Sequence, residues 1–82
     1  MTVYDRLADL LARSFGLQRD EIEPDYTFAE LELDSLALVE LTLAAQDEFS
    51  VALSEDDLGA ESTIAQAAKV IEAKVVEATA AA

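Results

Sequence analysis

The 82-residue chain contains no cysteine, no histidine and no tryptophan, and only two glycines and one proline. Without cysteine the chain has no disulfide and no thiolate metal site. Without histidine it lacks the commonest general base and the usual partner of a nucleophilic serine. The glycines form no phosphate-binding loop, and the acidic clusters do not match a calcium loop. We therefore predict no catalytic residues and no metal site, and we expect that the protein is not an enzyme.

Basic residues are also scarce. Five lysines and arginines stand against eighteen acidic residues, which gives a net charge of −13. No basic residue occurs between Arg19 and Lys69, where fourteen acidic residues lie. This charge argues against nucleic acid as a partner. A field of one sign favours encounter with basic surfaces, although the same charges are equally typical of a merely solvated acidic surface.

Long apolar runs are absent as well. No stretch approaches the ~20 residues that a membrane span needs, and the N-terminus shows no signal-peptide pattern. We expect a soluble, cytoplasmic protein that does not bind membranes. The chain length predicts one domain over residues 1–82, and 52% hydrophobic residues are ample for a packed core.

The residue pattern predicts an all-α fold. The first helix begins at Thr2, where Asp5 completes a capping-box spacing, and ends at Gly16. Residues 17–33 contain Pro24 and many acids, so we expect a long loop with at most one turn in "TFAEL". Apolar side chains should anchor this loop to the core, namely Ile22, Tyr26, Phe28 and Leu31.

The second helix is predicted from Ser35 to Phe49, with Asp34 as its N-cap. Its core face consists of Leu38, Leu41, Ala45 and Phe49. "EDDL" predicts one short helical turn ending at Gly59. The last helix opens at Thr63 with Gln66 in capping-box spacing, and residues 78–82 are expected to fray. The expected architecture is a small antiparallel bundle of three long helices and one short helix.

Ser35 allows two interpretations. It either forms a helix-starting pair with Asp34 or presents a hydroxyl for modification. The surrounding "LDSLALVELTLAAQDEF" resembles the Asp-Ser-Leu signature and following helix of acyl carrier proteins. "TFAEL", "LSEDDL" and the Thr-x-x-Gln start of the last helix also fall at the places expected for that family, so the likeness covers nearly the whole chain.

The resemblance implies that Ser35 is the attachment site of 4′-phosphopantetheine, added by a separate phosphopantetheinyl transferase. It also implies that Asp34 caps the helix and helps to hold the transferase's magnesium during loading. Further partners would be a ketosynthase, an acyltransferase or acyl ligase, and other acyl-processing enzymes with basic docking surfaces. The carrier itself is expected to act as a monomer.

A second stripe on the same helix is the predicted docking face for these enzymes, with acids beside its apolar residues: Leu36, Val39, Glu40, Leu43 and Asp47. The alternative is that this stripe belongs to the core.

"DSLAL" is similar to discrete carriers of polyketide pathways, and Gln46 stands where fatty-acid carriers often have an acid. Glu32 and Leu33 replace the glycine or alanine pair that many family members have before the aspartate. The leading hypothesis is a dissociated carrier of polyketide or other secondary-metabolite synthesis. The alternatives are the carrier of fatty-acid synthesis and an acidic adaptor that carries no group.

The concentration of acidic residues predicts considerable self-repulsion at low ionic strength. Added salt or divalent cations should therefore raise the melting temperature without any specific metal site. Thermal denaturation followed by circular dichroism over a series of salt concentrations measures this effect. A melting temperature that does not respond to salt would show that the charges are already compensated.

Overall fold

The computed structural model describes residues 2–80, apart from the side chains of Glu55 and of residues 78–80. Three α-helices follow one another along the chain, α1 (Val3–Phe15), α2 (Ser35–Phe49) and α3 (Ile64–Ala80). Short 3₁₀ turns lie at Arg19–Glu21 and at Glu55–Leu58. Within the described residues there is no strand, only an isolated antiparallel bridge between Thr27 and Thr63. The all-α prediction is therefore confirmed, with a 3₁₀ turn as the predicted short helix.

α1 is delimited by the residues that the sequence indicated. The Asp5 backbone N–H donates to Thr2 Oγ1 at 3.1 Å, and the Thr2 N–H donates to Asp5 Oδ2 at 3.2 Å. At the other end Gly16 adopts a left-handed conformation with φ of 68°, which costs glycine little because it has no Cβ. α1 packs against both α2 and α3, and its fully buried side chains include Leu7 and Leu11.

α3 starts with a second capping box. The Gln66 N–H donates to Thr63 Oγ1 at 3.1 Å, and the Thr63 N–H donates to Gln66 Oε1 at 2.9 Å. Its buried face includes Ile64, Ala67 and Ile71. The helix continues to Ala80, and the rest of the predicted frayed tail, residues 81 and 82, lies outside the described residues.

The connection between α1 and α2 is anchored to the core, as predicted. Ile22 and Phe28 are buried, and Tyr26 and Leu31 are partly buried and pack against the core. The backbone of the connection also bonds to the segment that leads into α3, through Phe28 N–H to Ser62 O (3.3 Å), Ala29 N–H to Ala60 O (2.9 Å), Ile64 N–H to Tyr26 O (2.9 Å) and Ala65 N–H to Pro24 O (3.0 Å). The long loop is thereby held along its length.

Asp57 joins the second 3₁₀ turn to α3. Its Oδ2 accepts from the Ser54 backbone N–H at 2.9 Å and lies 3.7 Å from Lys74 Nζ. The backbone hydrogen bond, and after it the nearby lysine, lower the pKa of the Asp57 carboxyl below its ordinary 3.8. The ionised form therefore stabilises the folded state.

This lowered pKa predicts a pH-dependent effect of Asp57→Asn. The stability that the carboxylate contributes is fully present above pH 3.8 and is lost as the pH falls through the lower folded-state pKa. At pH 7 the variant should lose about 1 kcal/mol or less in the free energy of unfolding. Its difference from the parent should vanish in strong acid, where both side chains are neutral.

Urea denaturation at pH 7 and at pH 2.5 measures the difference. Asp56→Asn is the matched control, since Asp56 is exposed and the substitution removes the same charge. Equal stability of the two variants at pH 7 would contradict a specific role for Asp57.

Candidate functional site

Ser35 is the first residue of α2, and its side chain is exposed. Asp34 precedes it as the N-cap, with extended backbone (φ −83°, ψ −177°). The Ala37 backbone N–H donates to Asp34 Oδ1 at 2.8 Å, which satisfies one of the N–H groups that have no acceptor within the helix. The capping is therefore performed by Asp34, and the hydroxyl of Ser35 is not needed for it.

The turn before Ser35 has an unusual backbone. Glu32 lies in the left-handed region with φ of 64°, which costs a residue with a Cβ about 1 kcal/mol. Its N–H donates to Ala29 O at 2.9 Å, and the next N–H, that of Leu33, donates to Phe28 O at 3.2 Å. Leu33 is buried. The backbone at Glu32 is thus strained, while Leu33 attaches the start of α2 to the core.

The two stripes of α2 have different surroundings. On the core face Leu41 and Ala45 are fully buried. On the second stripe Leu36 is 67% exposed and Leu43 is 60% exposed. Val39 is half-buried, and Glu40 and Asp47 are exposed. The structure brings the five predicted docking residues onto an accessible surface of α2, which we call the α2 strip, and most of this surface is not core.

A pocket of about 270 Å³ opens beside Ser35, between α2 and the second 3₁₀ turn. Leu38 and Val39 line it from α2, and Leu58, Gly59 and Ala60 line it from the opposite side. The last three residues were not predicted as part of the site. The sequence indicates the turn and its glycine, but nothing in the local pattern shows that this turn lies next to Ser35.

Within the described part of the chain, no basic side chain forms an ion pair with the acids around Ser35 and on the α2 strip. Among the described residues, ion pairs join Arg6 and Arg13 to Glu48, Arg19 to Asp5 and Asp9, and Lys74 to Asp57. None of these pairs includes Asp34, Glu40 or Asp47. The exposed surface that follows Ser35 therefore keeps its negative charge, apart from screening by salt.

The described part of the chain shows neither a metal-binding cluster nor a membrane-spanning helix. No three acidic side chains come together in a way that would hold a metal ion. Likewise, none of the described helices has the length and apolar character required to cross a bilayer.

Comparison with known proteins identifies the class to which this fold and site belong. The family model described as "Phosphopantetheine attachment site" matches residues 5–71. The chain is 37% identical to an acyl carrier protein of Thermobifida fusca (strain YX) over 57 residues, 68% of this chain and 72% of that protein. It is 32% identical to an acyl carrier protein of Sulfurovum sp. (strain NBC37-1) over 73 residues, 88% of this chain and 97% of that protein.

An acyl carrier protein of Lactobacillus johnsonii (strain CNCM I-12250 / La1 / NCC 533) is 30% identical over 70 residues, which are 84% of this chain and 88% of that protein. The chain belongs to the phosphopantetheine-attachment family, and within it to the acyl carrier proteins. Its prosthetic group is 4′-phosphopantetheine, and it is a carrier without catalytic activity of its own.

Proposed function

We propose that Ser35 carries the 4′-phosphopantetheine arm and that the loaded protein delivers acyl intermediates to enzymes of polyketide or other secondary-metabolite synthesis. The observation that carries the proposal is the exposed hydroxyl on the first residue of α2. A phosphodiester attached there lies at the positive end of the helix dipole. Because Asp34 accepts the N–H of Ala37, the earlier N–H groups of Ser35 and Leu36 are left to bind the phosphate oxygens.

The chemistry of the arm suits the composition of the chain. When attached, the arm supplies the thiol to which acyl groups are bound as thioesters, and the chain itself has no cysteine. Ser35 holds the arm by a covalent bond, and α2 orients its base. Asp34 keeps the helix start in place, and the family resemblance supports the proposal that its carboxylate helps to hold the transferase's magnesium during loading.

Ser35→Ala should abolish attachment of the arm and leave the fold intact. Because Asp34 performs the capping, the free energy of unfolding should change by no more than about 0.5 kcal/mol. The protein is incubated with coenzyme A and a broad-range phosphopantetheinyl transferase, and its mass is measured.

The matched control is Ser50→Ala, which removes another exposed serine hydroxyl, at the opposite end of α2, and should be loaded normally. Full loading of Ser35→Ala would rule out the attachment site.

The α2 strip is the proposed docking face for the transferase, the ketosynthase, the acyltransferase or acyl ligase, and other acyl-processing enzymes. The strip begins at Leu36, next to Ser35 in the chain. An enzyme that binds the arm must therefore lie close to the strip. The apolar side chains supply most of the affinity, and the acids set the rate and orientation of encounter with a basic surface. Among the described residues, the acids Glu40 and Asp47 form no ion pair with an arginine, unlike the acids near α1.

Reversing a charge on the α2 strip should slow the attachment of the arm by the transferase. Replacing an apolar side chain of the strip by a charged one should slow it as well. Glu40→Lys should lower kcat/KM of the transferase about fivefold at low salt, which corresponds to about 1 kcal/mol. Leu43→Asp should lower it further without unfolding, since Leu43 is 60% exposed.

The matched controls are on α3, Glu72→Lys for charge and Val76→Asp for an equally exposed apolar residue. The loading rate of each variant is measured, and its circular dichroism spectrum checks that it is folded. If the α3 controls slow loading as much as the α2 variants, the docking face lies elsewhere.

The assignment to a polyketide pathway rests on the similarity of "DSLAL" and of the neutral Gln46 to the corresponding residues of polyketide carriers. Gln46 Oε1 accepts from the Leu53 backbone N–H at 3.0 Å, so this side chain fixes the loop after α2 and adds no charge to the strip. Comparing kcat/KM for purified ketosynthases of polyketide and fatty-acid type, each with the loaded carrier as substrate, distinguishes the two pathways.

A further inference from the structure

Residues 27–33, directly before the site, form a single helical turn that is capped at both ends. At its start the Glu30 N–H donates to Thr27 Oγ1 at 3.1 Å, and the Thr27 N–H donates to Glu30 Oε1 at 3.3 Å, which is a capping box. The Leu31 N–H donates to Thr27 O at 3.3 Å and closes the turn. We call this segment the 27–33 turn. Its start is thus fixed by hydrogen bonds among its own residues.

The end of the 27–33 turn has the hydrogen bonds of a Schellman motif. The Leu33 N–H donates to Phe28 O, and the Glu32 N–H donates to Ala29 O. Phe28 and Leu33, at the two positions whose apolar side chains often meet in this motif, are both buried in the core. The motif requires a left-handed residue at the position of Glu32, where glycine is the usual residue. Glu32 adopts this conformation with φ of 64°.

The side chain of Glu32 does not compensate for the strain. It is exposed, and with the described residues its carboxylate forms no hydrogen bond or ion pair. Strained backbone persists where its surroundings determine the conformation, and it is frequent at functional sites. Here the surroundings are the capped turn on one side and the buried Leu33 on the other. The left-handed conformation therefore serves the course of the backbone and not a side-chain contact within the fold.

Two residues separate Glu32 from Ser35, and both are fixed. Leu33 is buried, and Asp34 accepts the Ala37 N–H at 2.8 Å. The backbone of Glu32 therefore sets the direction in which the chain enters α2. We infer that this left-handed backbone positions the Ser35 hydroxyl for attachment of the arm, which makes Glu32 a positioning residue of the loading reaction. The inference rests on the proposed function in taking Ser35 as the attachment site.

Loading requires the serine oxygen in a narrow range of positions. That oxygen forms a new bond to a phosphorus of coenzyme A, the bond from this phosphorus to the bridging oxygen of the pyrophosphate breaks, adenosine bisphosphate leaves, and the hydroxyl proton is released. A misplacement of about 1 Å can cost about a hundredfold in the rate of such a step. The α2 strip, the proposed docking face, follows Ser35 in the chain. A changed backbone at Glu32 should therefore lower kcat and leave KM unchanged.

Glu32→Val tests the inference, because a β-branched residue is strongly disfavoured in the left-handed region. Loading by a broad-range phosphopantetheinyl transferase with coenzyme A should show a kcat at least about fivefold lower than that of the parent protein. KM should stay within about twofold of the parent value. The rates are measured at a temperature at which circular dichroism shows that the variant is folded.

Ser50→Val is the matched control. Ser50 is the other non-glycine residue of the described chain with a left-handed backbone (φ 57°), is exposed, and follows α2 at the end opposite to Ser35. The substitution introduces the same strain there and should leave kcat unchanged. Glu32→Gly relieves the strain, and Glu32→Gln removes only the charge, so both should keep the kcat of the parent protein.

A second pair of variants decides the result if Glu32→Val does not fold. Leu33→Ala removes the buried side chain that ends the 27–33 turn, and Leu53→Ala makes the same truncation in the loop after α2. The two leucines are about equally exposed, at 9% and 8%. Leu33→Ala should lower kcat at least about threefold, whereas Leu53→Ala should leave it unchanged.

Amide hydrogen exchange tests the turn without any transferase. Because glycine removes the strain, the Leu33 amide proton should exchange about threefold more slowly in Glu32→Gly than in the parent protein. Ser50→Gly should not change this rate. A failure of loading at Ser35 leaves this result unchanged. Equal exchange of the Leu33 amide in Glu32→Gly and the parent would overturn the inference and leave the attachment site unchanged.

Three kinetic results would also contradict the positioning role of Glu32: an unchanged kcat in Glu32→Val, an equal loss of kcat in Ser50→Val, or a loss of kcat in Glu32→Gln or Glu32→Gly. The last result would mean that the side chain of Glu32, and not its backbone, acts on the transferase.

Discussion

The position of the site depends on the burial of Phe28. Its side chain is fully buried, which contributes about 2–3 kcal/mol and exceeds the cost of the left-handed Glu32 in the same turn. The Phe28 carbonyl then accepts the N–H of Leu33 at 3.2 Å, so the turn closes on itself directly before Asp34 and Ser35. The position of the exposed Ser35 thus depends on an aromatic ring in the core. The long connection is ordered because its anchors are distributed along it.

The few basic residues are placed so that the negative charge is distributed unevenly over the molecule. Arg6 donates to the Glu48 carbonyl at 2.9 Å and to its carboxylate at 3.1 Å, near the negative end of the α2 dipole. These contacts, with Arg13, lower the pKa of the Glu48 carboxyl. The arginines therefore compensate negative charge at the C-terminal end of α2, whereas the half of the helix that begins at Ser35 remains acidic. The surface that follows Ser35 therefore presents a negative field to any basic surface that approaches it.

The parts of the fold that depend on local spacing were predictable, and those that depend on packing were not. The caps at Thr2, Asp34 and Thr63 and the left-handed Gly16 all follow from short motifs, and the helices between them follow from apolar periodicity. The strain at Glu32 was not predictable, because nothing in the sequence marks a glutamate as left-handed.

The pocket beside Ser35 was not predictable for a related reason. It is formed by segments distant in sequence, since Leu58, Gly59 and Ala60 lie next to Ser35, and their proximity results from tertiary contacts. The exposure of Leu36 and Leu43 shows that these two side chains are not part of the core, a question that periodicity alone had left open.

The hydrogen bond from the Ala29 N–H to the Ala60 carbonyl, 2.9 Å long, joins the two ends of the segment that lies between them. That segment contains Ser35, the whole of α2 and the second 3₁₀ turn, and the bond fixes its two ends to each other. Between these ends α2 packs against α1 and contributes Leu41, Ala45 and Phe49 to the core. The segment is thus a closed loop of chain whose middle helps to form the bundle, so replacing residues 30–59 by another sequence would change the core together with the surface that follows Ser35.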